Sequence, residues 1–118
     1  MKKIYYLSSC NTCLRIIDEL KINDEFILQD IKSESITNTQ LEEMRCLTDS
    51  YESLFSKRAR LYKELGLKEK NLTEDNFKKF ILEHYTFLKR PVTIVGDQIF
   101  IGNSKKVVEA TKVAINEQ

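Results

Sequence analysis

In the stretch Lys3-Ile4-Tyr5-Tyr6-Leu7-Ser8-Ser9-Cys10-Asn11-Thr12-Cys13-Leu14-Arg15, a short apolar β-type run leads through two serines into a pair of cysteines that opens a helical pattern. The stretch predicts a strand that delivers two thiols to the first turn of a helix. A helix start leaves backbone N–H groups unpaired and carries the positive end of the macrodipole, and both favour a thiolate over a thiol. Cys10 is therefore the candidate nucleophile, and Cys13, one turn later, the candidate resolving thiol.

Other chemistries use the same spacing. A zinc site would need two further ligands, and the remainder of the chain offers only Cys46 and a single histidine, His84. Leu7-Ser8-Ser9-Cys10 resembles a lipidation box, but the apolar run from Ile4 to Leu7 is far shorter than a signal h-region requires. A pair of buried structural cysteines is the remaining alternative to a redox role. No metal site is expected.

A chain of 118 residues, 42% of them apolar and with net charge +1, has material for one soluble domain with a single core. No segment approaches a membrane span. Three cysteines, two of them in a tight pair, do not make a secreted disulfide framework, so a reducing cytoplasm is the expected setting. The 19 lysines and arginines almost balance 18 aspartates and glutamates, which gives no reason to expect direct nucleic-acid binding. Any anion site must be local.

Ile4 to Leu7 reads as a buried first strand, and Cys13, Leu14, Ile16, Ile17 and Leu20 recur at helical spacing over 11–20. Phe26 to Ile31 follows as a second strand, so a βαβ unit with parallel strands is expected. Thr39 and Glu42 suggest a capping box for a short helix carrying Leu41, Met44, Cys46 and Leu47, with Cys46 as a core thiol. Tyr51, Leu54 and Phe55 continue the apolar pattern. Leu61 to Leu65 runs into Gly66, a helix C-terminal glycine, and Thr73 with Asn76 opens a helix carrying Phe77, Phe80, Ile81 and Leu82. His84 reads as a surface or capping residue. The only proline, Pro91, precedes the β-branched run Val92 to Val95, and Gly96-Asp97 turns the chain into Gln98 to Ile101 as an antiparallel hairpin. Gly102-Asn103-Ser104 leads into a last helix with Val107, Val108, Ala110, Thr111, Val113 and Ala114, while Tyr5, Tyr6 and Phe100 are expected in the core.

The order βα, β, helices, ββα predicts an α/β, thioredoxin-like fold with a helical insertion between the second and third strands. One domain is expected over 1–118, with 1–36 and 86–118 as the thioredoxin-like core and 37–85 as the insertion. In this layout Pro91 sits beside the Cys10 helix start, where a proline after a cis peptide leaves backbone groups facing a bound thiol or oxyanion. An ordinary edge-strand proline is the alternative.

With Cys10-Asn11-Thr12-Cys13, Ser56-Lys57-Arg58, the segment Tyr62 to Gly66 and Arg90-Pro91-Val92 in this order, the chain resembles the ArsC/Spx family, glutaredoxin-linked arsenate reductases and their thioredoxin-fold relatives. The resemblance implies that Cys10 is the nucleophile and that Arg58, Arg90, Pro91, Asn11 and Thr12 form the substrate-binding set. Arg58 matches a Ser-x-Arg of the Spx-like branch, and Arg60 is the neighbouring alternative. Where arsenate reductases of this type carry a serine, this chain has Cys13, which implies an internal disulfide. Their third anion-binding arginine has no counterpart in Gly102-Asn103-Ser104-Lys105. No bound cofactor is implied; the reductant would be external, glutathione with glutaredoxin, or thioredoxin. The Spx-like alternative is a redox-sensing regulator that binds the alpha subunit of RNA polymerase, although Leu47 to Tyr51 lacks the glycine expected at that contact.

Overall fold

The computed structural model describes residues 1–117, which divide into two compact units, Met1–Glu34 with the chain from Arg90 onward, and Ser35–Lys89. The first unit contains the whole sheet. Its strands are β1 (Lys2–Tyr6), β2 (Ile27–Asp30), β3 (Val92–Val95) and β4 (Gln98–Ile101), in the spatial order β2-β1-β3-β4. β1 runs parallel to β2 and antiparallel to β3, and β3 is antiparallel to β4. The expected βαβ unit and hairpin are both present, and helices occupy the chain between β2 and β3 as the insertion reading requires.

The inner strands are apolar on both faces, as strands covered on both sides must be. All four residues of β3 are buried, and Ile4 and Tyr5 of β1 with them. Pro91 therefore precedes an inner strand, and its peptide bond to Arg90 is cis. Phe26 is buried but lies just before β2, whose Ile27 and Leu28 are exposed because β2 is an edge of the sheet. Gly96 turns the hairpin at φ +65°, a left-handed conformation that a Cβ would disfavour.

On one face of the sheet lie α1 (Asn11–Leu20) and α5 (Lys105–Asn116). Ile16 and Leu20 of α1 and Val108 and Ala114 of α5 form a core with Ile4, Phe26 and Val95, against which Tyr6, Ile17 and Phe100 are half-buried. Leu14 and Val113 face outward, each about 100° around its helix from a buried neighbour. Across the two helices Lys112 Nζ meets Glu19 Oε2 at 2.8 Å. Ser104 caps α5 by accepting the Val107 N–H.

The second unit is helical, with α2 (Asn38–Cys46), α3 (Arg60–Glu64), α4 (Glu74–Glu83) and three short 3₁₀ turns. Two local expectations are corrected here. The capping box of α2 is Thr37 with Gln40, two residues earlier than Thr39 with Glu42: Thr37 Oγ1 accepts the Gln40 N–H at 3.0 Å, and the Gln40 side chain accepts the Thr37 N–H at 3.0 Å. Leu41 and Met44, three residues apart on one face, are buried. Cys46, two residues beyond Met44 and about 200° around the helix, is consequently exposed and is not a core thiol. Thr73 and Asn76 do form the capping box of α4, and Gly66 follows α3 at φ +63°. His84 ends α4, donating its N–H to the Phe80 carbonyl.

Phe55 is the centre of this unit. Its ring stacks on Phe87 at 4.9 Å between centroids and meets the edges of Phe77 at 4.8 Å and Tyr62 at 6.0 Å. Ser56 N–H to the Phe87 carbonyl and Lys89 N–H to the Leu54 carbonyl tie the middle of the unit to its last residues. Among the described residues no helix is long and apolar enough to cross a membrane. Phe55→Ala should cost about 3–5 kcal/mol of unfolding free energy, because the truncated ring leaves a cavity that three other rings cannot all close; urea titration followed by circular dichroism measures it.

Candidate active site

β1 ends at Tyr6, and the chain turns through Leu7 to Cys10, with the Cys10 N–H bonded to the Leu7 carbonyl at 3.0 Å. Cys10 is the N-cap of α1, with an extended backbone at φ −99° and ψ 107°, and its carbonyl accepts the first helical bond from the Leu14 N–H at 3.1 Å. Cys10 is half-buried; Cys13, one turn in, is fully buried. This is the strand, turn and helix start expected from the residues, because apolar Ile4, Tyr5 and Leu7 hold the strand down while Ser8 and Ser9 stay exposed.

The two thiols are driven apart in acidity. At Cys10, burial raises the pKa, but the Cys13 backbone N–H, the Cys13 thiol, the Arg90 guanidinium and the Thr12 N–H together outweigh it, so the thiol is more acidic than an ordinary cysteine. Cys13 is pushed up to about 11, first by burial and then by the Cys10 sulfur, against the weaker pull of the Leu7 N–H and Arg90. The pair combines an outer sulfur prone to ionise with an inner one that is not.

Sheet register brings Arg90 and Pro91 to the same end. Tyr5 pairs with Val92 across β1 and β3, so Pro91 and Arg90 continue past Tyr6 toward the turn that carries Cys10. Arg90 is half-buried, and its charge acts on both sulfurs. The Pro91 carbonyl accepts the Gly102 N–H at 2.9 Å, which fixes the entrance of β3 against the residue after β4. Cys10, Thr12, Cys13, Arg90 and Pro91 thus converge, and Asn11 is exposed as the first residue of α1. Arg58 and Arg60 belong to the second unit: Arg58 is exposed in a turn, and Arg60 is the exposed first residue of α3.

The residue reading missed Asp30. Its carboxylate accepts the Ser8 hydroxyl at 2.6 Å and the Ser8 N–H at 3.2 Å, gripping the turn just before Cys10. The signal was available in principle, because parallel neighbours end together and Asp30 pairs with Tyr6 in register. Among the described residues no group of three or more His, Cys, Asp or Glu side chains is arranged to hold a metal ion. A cavity of about 280 Å³ opens within the second unit beside Ile36, Leu61, Ile81 and His84, and includes none of the expected site residues.

A four-stranded mixed sheet with a helix-start thiol pair beside a cis-proline defines a thioredoxin-like protein, and known proteins narrow the class. The ArsC family model matches residues 5–111, and the chain belongs to that family. It is similar to a Bacillus anthracis protein named global transcriptional regulator Spx 2, 27% identical over 104 residues that span 86% of this chain and 79% of the relative. Among solved structures, a Staphylococcus aureus COL protein superposes with a TM-score of 0.72 at 25% identity, covering 93% of this chain and 97% of that one. An arsenate reductase from Vibrio cholerae shares the fold with a TM-score of 0.72 at 21% identity, covering 97% and 96%.

Arg90→Ala should shift the midpoint of Cys10 alkylation against pH upward and slow the reaction at pH 7 several-fold, with Arg90→Lys intermediate. Iodoacetamide kinetics in a Cys46→Ser background, which removes the exposed third thiol, provide the measurement.

Proposed function

We propose that this ArsC-family chain is a thiol-dependent oxidoreductase in which Cys10 is the nucleophile and Cys13 resolves the adduct. The opposed acidity of the two sulfurs carries this reading: the outer thiol ionises readily and the inner one stays protonated until an adduct forms. With a disulfide substrate, the Cys10 thiolate attacks one sulfur, forms a mixed disulfide and expels the other half as a thiolate. The Cys13 thiolate then attacks the Cys10 sulfur, releases the second thiolate and leaves the Cys10–Cys13 disulfide. With arsenate, Cys10 displaces water to form a sulfur–arsenic ester, and attack by Cys13 on the Cys10 sulfur breaks that bond, transferring two electrons to arsenic and releasing arsenite.

Arg90, and by resemblance Arg58, would stabilise the oxyanion, since guanidinium groups stay protonated and present forked donors to tetrahedral anions. Asn11, Thr12 and Pro91 would line the site. Glutathione with glutaredoxin, or thioredoxin, would reduce the disulfide to complete turnover in a cytoplasmic setting. The purified protein should accelerate arsenite formation with one of these reductants, and Cys10→Ser should abolish it. Activity in neither system would remove arsenate as the substrate and leave disulfide reduction, assayed separately.

The similarity to an Spx regulator supports a second reading, in which oxidation of Cys10 and Cys13 switches a surface that binds the RNA polymerase alpha subunit. Capture of that subunit that appears only after diamide treatment favours it. Retention that ignores the oxidation state counts against it.

The pH dependence of resolution follows from Cys13. Burial, the first cause of its pKa of about 11, persists when Cys10 is tied up in an adduct and keeps the reactive thiolate scarce at neutral pH. Closure of the Cys10–Cys13 disulfide from a preformed Cys10 mixed disulfide should therefore accelerate as the pH rises from 6.5 to 9, measured by stopped-flow release of a chromogenic thiol. A flat profile would show that a base within the protein deprotonates Cys13.

A further inference from the structure

We infer that Asp30 is a positioning residue for Cys10, acting through Ser8. The inference rests on the reading of Cys10 as a reactive thiol and adds the group that holds it in place. Asp30 closes β2 opposite Tyr6, and both its carboxylate oxygens accept hydrogen bonds from Ser8. Oδ2 accepts the Ser8 hydroxyl at 2.6 Å, a length typical of a charge-assisted bond, and Oδ1 accepts both the Ser8 N–H and the Lys32 N–H at 3.2 Å. The backbone around Asp30 is itself tied down. The Ile31 N–H bonds the Tyr6 carbonyl at 2.9 Å, and the Glu34 N–H bonds the Asp30 carbonyl at 2.8 Å.

Ser8 is the first of two residues in the turn that the Cys10 N–H closes onto Leu7. Both serines are exposed, so between buried Leu7 and half-buried Cys10 it is the carboxylate that grips the tip of the turn. The acidity of Cys10 depends on its sulfur lying within reach of the Thr12 and Cys13 N–H groups, a geometry set by the backbone at the N-cap. Without the clamp, the turn gains conformations in which that reach is lost.

A carboxylate could also act the opposite way, because its charge, if near enough, disfavours ionisation of the sulfur. The two effects have opposite signs, so the clamp can be distinguished from simple proximity. If Asp30 acts by holding Ser8, removing either partner slows Cys10. If it acts chiefly as a charge, removing it speeds Cys10.

The experiment measures the rate of Cys10 alkylation against pH in a Cys46→Ser background, for the parent, Ser8→Ala, Ser8→Thr, Asp30→Ala and the Ser8→Ala/Asp30→Ala double variant. The expected result is a parent midpoint below that of an ordinary cysteine. Ser8→Ala and Asp30→Ala should each react several-fold more slowly at pH 7, Ser8→Thr should recover the parent rate through its retained hydroxyl, and the double variant should fall short of the product of the single effects. A depressed parent midpoint that neither Ser8→Ala nor Asp30→Ala alters overturns this inference and leaves the reactive-thiol reading intact. Faster alkylation in Asp30→Ala, or single effects that multiply in the double variant, also overturns it. A parent that titrates as an ordinary cysteine removes both readings. If Asp30→Ala does not fold, the Ser8 pair decides alone, because it changes one exposed side chain, and an unchanged rate in Ser8→Ala overturns the clamp.

Discussion

Both backbone groups of Leu7 serve the thiol pair: its carbonyl accepts the Cys10 N–H, and its N–H acts on the Cys13 sulfur. Leu7 is itself 6% exposed, anchored as the last apolar residue after β1. One buried residue thus sets where the helix begins and how deep the second sulfur lies. A shift of one residue at this point would move the extended N-cap away from Cys10 and turn Cys13 off the buried face of α1.

The contrast between two chemically identical side chains follows from position alone. Burial raises both but acts more strongly on the fully buried Cys13, and the Arg90 guanidinium lowers both. The separation comes from that difference in depth, from the hydrogen bond between the two sulfurs, which lowers Cys10 and raises Cys13, and from the N–H groups within reach. Cys10, at the N-cap, faces two that the first turn leaves unpaired, whereas Cys13, buried within the helix, has only the one from Leu7. Helix geometry therefore distinguishes the sulfurs without any specialised acid or base beside them.

Local signals made most of this legible in the residues. The apolar run before Cys10, the 3.6-residue spacing over α1, the Gly96-Asp97 turn and the proline ahead of a β-branched run all act over a few positions, and each element formed where its residues indicate. Errors arose where two local readings competed. Thr37 and Thr39 both begin capping patterns two residues apart, and Cys46 reads as core although it lies about 200° around the helix from buried Met44. The Asp30 grip on Ser8 spans 22 residues and depends on strand register, which no local pattern carries. Arg90 adjoins the proline and, in the structure, its charge acts on both sulfurs, whereas Arg58 and Arg60 stand in a basic cluster whose members the residues alone do not tell apart.

The order in which strands meet in the sheet has a consequence for the chain as it leaves the ribosome. β1 finds β2 within thirty residues, but its other neighbour, β3, begins at Val92, and Arg90 arrives only just ahead of it. Until Arg90 has been made, the thiols exist without one of the groups that lower the pKa of the outer one. Nascent chains that stop short of it therefore lack that contribution to Cys10 acidity, which is acquired late, once the middle of the sheet has been assembled.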